Sequence, residues 1–214
     1  MKKMSCILIF MSMFFVVQKL SAAEFEGTIT IIKQTLYDTT LFTFQVKKKL
    51  VRIDEKNMRN EVIQSLIIDI TTKSITALSP SQKLYTKIYK NRVTPPSDIK
   101  VTKTTNFKMI EGYKCYQWRV RNNTVNSEIS LWVCAESFTF FSEVMDLLSK
   151  TEDYSEYCRY FNLIPDNSGY FPIMVVERTL LREEKTRVMV QSIQRKEINE
   201  SIFQIPKDYK CLQN

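Results

Sequence analysis

The stretch Glu111–Cys134, EGYKCYQWRVRNNTVNSEISLWVC, decides how this chain folds. Folding Tyr113–Arg121 back on Glu128–Cys134 with Arg121 opposite Glu128 sets every other pair. Tyr116 then meets Val133, Trp118 meets Leu131 and Val120 meets Ile129 on one face, while Cys115 meets Cys134 and Gln117 meets Trp132 on the other. Side chains alternate across a strand, so a slip of one residue would exchange the two faces. In the unslipped register an apolar face, a cross-strand charge pair and two opposed cysteines agree. That agreement predicts an antiparallel hairpin fastened on its outer side by a Cys115–Cys134 disulfide.

Upstream of the hairpin the apolar period is two rather than about 3.6. Phe25, Gly27, Ile29 and Ile31 alternate with polar residues as a half-buried first strand. Phe42, Phe44 and Val46 share a face, and the phase moves to odd positions at Val51 and Ile53, so Lys47-Lys48-Lys49 reads as a solvated turn. Beyond a polar connection at 57–61, the segment Ser65–Tyr89 reads as a three-strand meander, with Leu66, Ile68 and Ile70, then Ile75 and Ala77, then Leu84, Thr86 and Ile88 facing inward. Pro80 supplies the second of its turns. Arg92–Lys103, with Pro95-Pro96, has neither period and is expected to be a loop, the strand pattern resuming at Phe107.

After the hairpin the period changes. Val144, Leu147 and Leu148, and then Tyr154, Tyr157, Cys158 and Phe161, stand at helical spacing, which predicts one or two helices, broken near Thr151, packed on the sheet. Residues 164–172 read as a loop, and Ile173–Leu181 with Thr186–Arg195 as a second hairpin. Ile202, Phe203 and Ile205 pin the terminus, and Pro206 is expected to stop further pairing. The fold class expected is α+β, mainly β: an antiparallel sheet covered by one or two helices.

The first 23 residues stand apart. Met1-Lys2-Lys3 opens a basic segment, Ile7–Val17 is apolar, and Ser21-Ala22-Ala23 supplies the small residues of a cleavage site. This pattern predicts a secretory signal peptide cut after Ala23, a periplasmic or secreted product, and one domain spanning 24–214. No later run is long and apolar enough for a bilayer-spanning helix, which needs roughly 20 residues. Removing three lysines and no acid lowers the net charge from +8 to +5, a mild basic excess. Cys115, Cys134, Cys158 and Cys211 remain, an even number that in an exported chain suggests disulfides. The hairpin register selects Cys115 with Cys134 and leaves Cys158 with Cys211.

The absence of histidine removes Ser-His-Asp and Cys-His arrangements, histidine metal sites and the commonest general base. With no CxxC spacing either, no metal site and no cofactor is expected. Gly27, Gly112 and Gly169 are too far apart for a phosphate loop or a dinucleotide fingerprint. Asp54, Asp69 and Glu128 are the carboxylates a hydrolase would use, but lone acids on strands are more commonly solvated or paired, so no enzyme is expected. Phe42, Phe44, Tyr116 and Trp118 are the candidate ligand-binding residues, lining an apolar cavity in a curved sheet; the alternative is that they fill an ordinary core. Export argues against nucleic acid as a partner.

Three segments read together as a family pattern: SLIIDITTKSITALSPSQKLYTKI, then IEGYKCYQWRV followed by ISLWV, and finally SIFQIPKDYK. Their order and spacing resemble DUF4412, a family of exported bacterial proteins, whose fold is similar to that of periplasmic lipoprotein carriers of the LolA-like kind. The resemblance implies a strongly curved, unclosed barrel wrapping a hydrophobic cavity closed by helices, with lipid or lipoprotein handling. It carries no catalytic residues to transfer. Two functional expectations follow: a non-enzymatic binder of a hydrophobic ligand or lipoprotein acyl chain, and a structural or protein-interaction module of the cell envelope with a filled core.

Overall fold

The structure, a computed structural model, describes residues 24–89, 97–136, 138–151 and 160–212. The alternating N-terminal half folds into β1 (Gly27–Thr35), β2 (Thr39–Lys47), β3 (Leu50–Lys56), β4 (Val62–Asp69), β5 (Ser74–Ser79) and β6 (Leu84–Ile88). Then come β7 (Ile99–Ile110), β8 (Tyr113–Asn122), β9 (Ser127–Ala135), helix α1 (Thr139–Leu148), β10 (Tyr170–Arg178), β11 (Glu184–Arg195), a 3-10 turn at Glu200–Phe203 and the short β12 (Lys210–Cys211). All twelve strands join one sheet in the order β12-β6-β5-β4-β3-β2-β1-β11-β10-β9-β8-β7. Pairing is antiparallel except between β12 and β6. The ends β7 and β12 do not pair, so the sheet curves without closing, and the first strand made occupies its middle.

Bulges bend it. The ladder slips at Ile31 against β11, at Pro172/Met174 against β9, at Glu55/Lys56 against β4 and at Lys103/Phe107 against β8. Each extra residue on one strand increases local twist and turns the strand away from the flat. Several turns are made without glycine: Lys48, Lys73 and Lys83 all have positive φ at hairpin corners.

Exposure on the concave face is graded along the strands. The deepest row, Val46, Val51, Ile68 and Ile75, is sealed, with Val46, Val51 and Ile68 at 0 % exposure. The next row, Phe44, Ile53 and Leu66, is also buried, whereas the row after it, Phe42, Glu55 and Gln64, runs from half-buried to exposed. Helix α1 closes the deep end by burying Phe140, Phe141, Val144, Met145, Leu147 and Leu148. Phenylalanine rings form its contact: Phe138 and Phe141 lie 4.8 and 4.7 Å from Phe171, Phe161 lies 5.0 Å from Phe141, and Phe25 lies 5.2 Å from Phe138. A second, smaller core forms from Ile67, Leu78, Ile198 and Phe203, so the C-terminal segment covers a patch on the opposite, convex side.

The register of the opening hairpin is as expected, from Tyr116 opposite Val133 to Arg121 opposite Glu128. Other expectations need correction. Arg121 makes no ion pair with Glu128; its Nε donates to Asn123 at 3.0 Å instead. Cys115 and Cys134 are free thiols, not a bridge, and both are buried in the core rather than fastening an outer side. The paired ladder stops at Tyr116 opposite Val133, one residue short of the cysteines, and the Cys115 thiol turns back along its own strand to the Tyr113 carbonyl, 3.5 Å away. Cys211 is also free and is exposed, while Cys158 lies outside the described residues. The expected loop through Lys103 is strand β7 from Ile99 onward, and Pro172 sits in β10, at the bulge. Pairing resumes beyond Pro206 as β12. Lys47, far from being solvated, lies within 3.8 Å of Glu26 and 3.6 Å of Glu200, and donates to the Ile198 carbonyl at 2.8 Å. The proposed leader at 1–23 and the helical positions Tyr154, Tyr157 and Cys158 also lie outside the described residues.

Candidate functional site

Where the concave face opens at the β6 edge, a groove of about 350 Å³ lies across β4, β5 and β6, with Leu78 and Tyr85 reaching it around that edge from the convex side and Leu212 from just beyond β12. Its apolar lining is Ile63, Ala77, Leu78, Leu84 and Leu212; Glu55, Gln64, Ser79, Gln82, Tyr85 and Thr86 supply the polar atoms. A neighbouring hollow of about 290 Å³, reaching Thr40 and Met58, shares Glu55 and Ile63 with it. Ile63 is the pivot. It falls where the β3/β4 register skips a residue, between Gln64 opposite Glu55 and Val62 opposite Lys56, and it is left 51 % exposed. Bulges re-aim side chains in this way.

The groove wall depends on the C-terminal segment. Arg52 donates to the Ile202 carbonyl at 2.9 Å, and Lys83 reaches Asp208 at 2.9 Å, setting the chain so that β12 pairs with β6 and Leu212 reaches the groove. The Asp208 hydrogen bond raises the Lys83 ammonium above its ordinary value, and the neighbouring Cys211 thiol pushes the Tyr85 phenol upward. Glu55 has no hydrogen bond or ion pair among the described residues, so its carboxylate is unoccupied by the fold. Gln64 is likewise exposed beside it. The arrangement offers an apolar wall with one carboxylate, Glu55, and two amides, Gln64 and Gln82, at its rim.

The four residues expected to line a ligand cavity are divided. Phe44 and Trp118 are 5 % and 3 % exposed and belong to the filled core. The Trp118 ring stands 4.7 Å from that of Tyr170, with Lys103 over its face at 4.4 Å. Phe42 is half-buried and stands across the ladder from Glu55, one strand from the groove. Tyr116 lies at the far edge of the sheet, 6.4 Å from Phe107. The structure does not bring the four together. Ile63, Glu55 and Leu212 escaped the sequence reading, because β4 carries two adjacent apolar runs, Val62-Ile63 and Leu66-Ile67-Ile68, and nothing in the pattern says which of them marks the bulge. Among the carboxylates weighed for catalysis, Asp54 is bonded to Arg52 and Ser65, and Asp69 accepts from the Thr71 and Thr72 amides. Burial pushes the Cys115 and Cys134 thiols up to about 11 and about 12, which keeps them protonated and unreactive at neutral pH.

A curved, unclosed sheet with a helix seated against its concave side defines the class. The profile of the DUF4412 family, a domain of unknown function, matches residues 25–209, and the chain belongs to that family. No curated protein matches it. Among solved structures, an uncharacterized conserved protein from Thermus thermophilus is similar in fold, with a TM-score of 0.54 at 10 % identity over 87 % of this chain and 89 % of its own. PNGF-II gives 0.48 at 11 % identity, over 87 % of this chain and 31 % of its own. A putative outer membrane lipoprotein-sorting protein domain from Vibrio parahaemolyticus gives 0.33 at 7 % identity, over 83 % of this chain and 87 % of its own. Among the described residues no helix is long and apolar enough to cross a membrane.

Proposed function

We propose that this is an exported, non-enzymatic binding protein that takes an amphiphile with an apolar tail into the groove at the open end of its concave face. The observation that carries the reading is the grading of that face, from a sealed core at Val46, Val51 and Ile68 to an open, apolar-walled groove at Ile63, Leu84 and Leu212. A volume of about 350 Å³ falls at the small end of ligand pockets. Burial of the tail supplies affinity at roughly 25 cal/mol per Å² before ordering costs. The unoccupied Glu55 carboxylate and the Gln64 amide select a head group that donates hydrogen bonds. The leader-like first 23 residues support export. The engagement of Asp54 and Asp69 within the fold supports a non-enzymatic role.

The test is displacement of a fluorescent fatty-acid probe, with native mass spectrometry of the protein purified from its exporting host. Copurifying amphiphile and probe binding weakened at least tenfold by Ile63→Asp are expected. A probe that does not bind, with no ligand mass, overturns the reading. That outcome would favour an envelope interaction module, a role supported by the burial of Phe44 and Trp118 in a filled core.

A further inference from the structure

The opposite edge of the sheet has a different character. Strands β7 and β8 together carry six Lys and Arg residues and not one Asp or Glu. Lys103 is held by the Pro165 carbonyl, but Lys100, Lys108, Lys114, Arg119 and Arg121 make no ion pair among the described residues. Elsewhere the cations Lys47, Lys49, Arg52 and Arg187 all face carboxylates. The nearby acids are Glu111 in the hairpin turn, Glu128 across from Arg121, Asp98 before β7, Asp166, whose carbonyl oxygen lies 3.4 Å from Lys103, and Glu136, which pairs with Arg195; none of their carboxylates is paired with these cations.

The same edge exposes large apolar side chains. Phe107 is 58 % and Met109 63 % exposed, side by side on the outermost strand. Lysines sit over the rings: Lys114 lies 4.4 Å from the Phe107 centroid and 5.4 Å from that of Tyr116, and Lys108 lies 4.1 Å from that of Trp132. Phe107 and Tyr116 face each other in the register, whereas Lys108 pairs with Cys115 on the alternate face, so cation-capped aromatics wrap both sides of one edge.

We propose that the β7–β8 edge docks this protein onto an anionic phospholipid surface. Aromatic and thioether side chains rest at the level of the acyl boundary while lysine stems run outward and place their ammonium groups among lipid phosphates. An acidic protein with an apolar patch of its own is the other surface these residues would fit, and absence of binding to anionic vesicles would favour it. The inference is independent of the groove, which lies at the other end of the sheet order.

The test is cosedimentation of the mature chain with vesicles of phosphatidylcholine alone and with phosphatidylglycerol admixed, at low and physiological ionic strength. Binding to the anionic vesicles, weakened by salt, is expected. Each cation near such a surface contributes about fivefold in affinity, so Lys108→Gln with Lys114→Gln lowers binding about 25-fold. Phe107→Ser with Met109→Ser lowers it at least about tenfold. Lys33→Gln with Lys196→Gln, which removes the same charge elsewhere, leaves it within about threefold. Far-UV circular dichroism confirms that each variant is folded. Absence of binding to anionic vesicles, equal binding to neutral ones, or equal loss in the control pair overturns the proposal.

Discussion

Arg52→Ala is expected to loosen the C-terminal cover and the groove wall with it. Arg52 lies on β3 with its side chain 20 % exposed, and its guanidinium is fully engaged. Nε donates to Asp54 at 2.8 Å, Nη2 to the Ser65 hydroxyl at 3.1 Å and Nη1 to the Ile202 carbonyl at 2.9 Å. Ser65, itself 0 % exposed, donates to the same Asp54 oxygen at 2.6 Å. All three bonds have the charged guanidinium as donor, and each such charge-assisted bond contributes roughly 1.5–3 kcal/mol. The total overlaps the roughly 3–5 kcal/mol lost when one member of a buried pair is removed. Partial solvent access brings the expectation to about 3 kcal/mol. Urea unfolding followed by circular dichroism measures it: at a slope of about 2 kcal/mol per molar, the midpoint falls by about 1.5 M. Arg52→Met combined with Asp54→Leu is expected to recover most of the loss, since no charge is then left stranded. Hydrogen exchange should accelerate between Ile198 and Leu212 in the single variant. A loss below about 1 kcal/mol with unchanged exchange there would refute the assignment of Arg52 as the anchor.

Three further outcomes are expected. Gly27→Ala should cost at least about 2 kcal/mol, because φ is +152° and the added Cβ would meet the Gln194 carbonyl oxygen at 2.0 Å; an unfolding midpoint equal to wild type would contradict the close approach of β1 and β11. With thiol-reactive reagent, Cys211 should label in the native state and Cys115 and Cys134 only after unfolding, as read by peptide mass spectrometry; a linked Cys115–Cys134 peptide would refute the thiol assignment. Because these folded thiols hold their protons to about 11 and about 12, above the ordinary 9.0, their contribution to stability is present below pH 9.0 and is lost as pH rises through 11 to 12. Lys73→Gly should add about 0.5 kcal/mol, since Lys73 holds a φ of +54° that strains an L-residue by about 1 kcal/mol, less the greater unfolded freedom of glycine; a fall in thermal midpoint would show that the Lys73 side chain contributes contacts of its own.

The central hairpin was legible because its information is redundant: Trp118 with Leu131 and Val120 with Ile129 demand one face, and no other register satisfies both. The same logic failed at the edge. β7 has solvent on most of its side chains: only Ile99 and Val101 alternate with exposed Lys100 and Thr102, a run too short, directly after Pro95-Pro96, to read as a strand. β12 is two residues of exposed strand held by a parallel neighbour, and no local pattern announces it. The cover on the convex side was half visible. Phe203 was expected to pin the terminus, but its partners Ile67 and Leu78 occupy the positions that alternation assigns to solvent. The candidate site was least legible, because it is made by an irregularity. Aromatic content pointed to Phe44 and Trp118, yet the density of rings around α1 fills the deep end, and the opening lies where a bulge turns Ile63 outward. The disulfide failed for a different reason: it was extrapolated one step beyond the last paired residues, Tyr116 and Val133, and the Cys115 thiol is directed to the Tyr113 carbonyl.

The position of β1 has a consequence for how the chain is made. Its first neighbour, β2, arrives almost at once, but the strand that covers its other edge begins only at Glu184. A growing or translocating chain that has released everything up to β10 still carries a central strand with one row of unpaired amides and carbonyls, flanked by Ile29 and Ile31. Such an edge is a template for pairing with other chains. Closing a loop of this length makes assembly slow relative to the local hairpins. Truncations that remove β11 should therefore aggregate rather than lose one strand from an otherwise finished sheet, and the segment from Glu184 onward sets the time at which the whole becomes a folded protein.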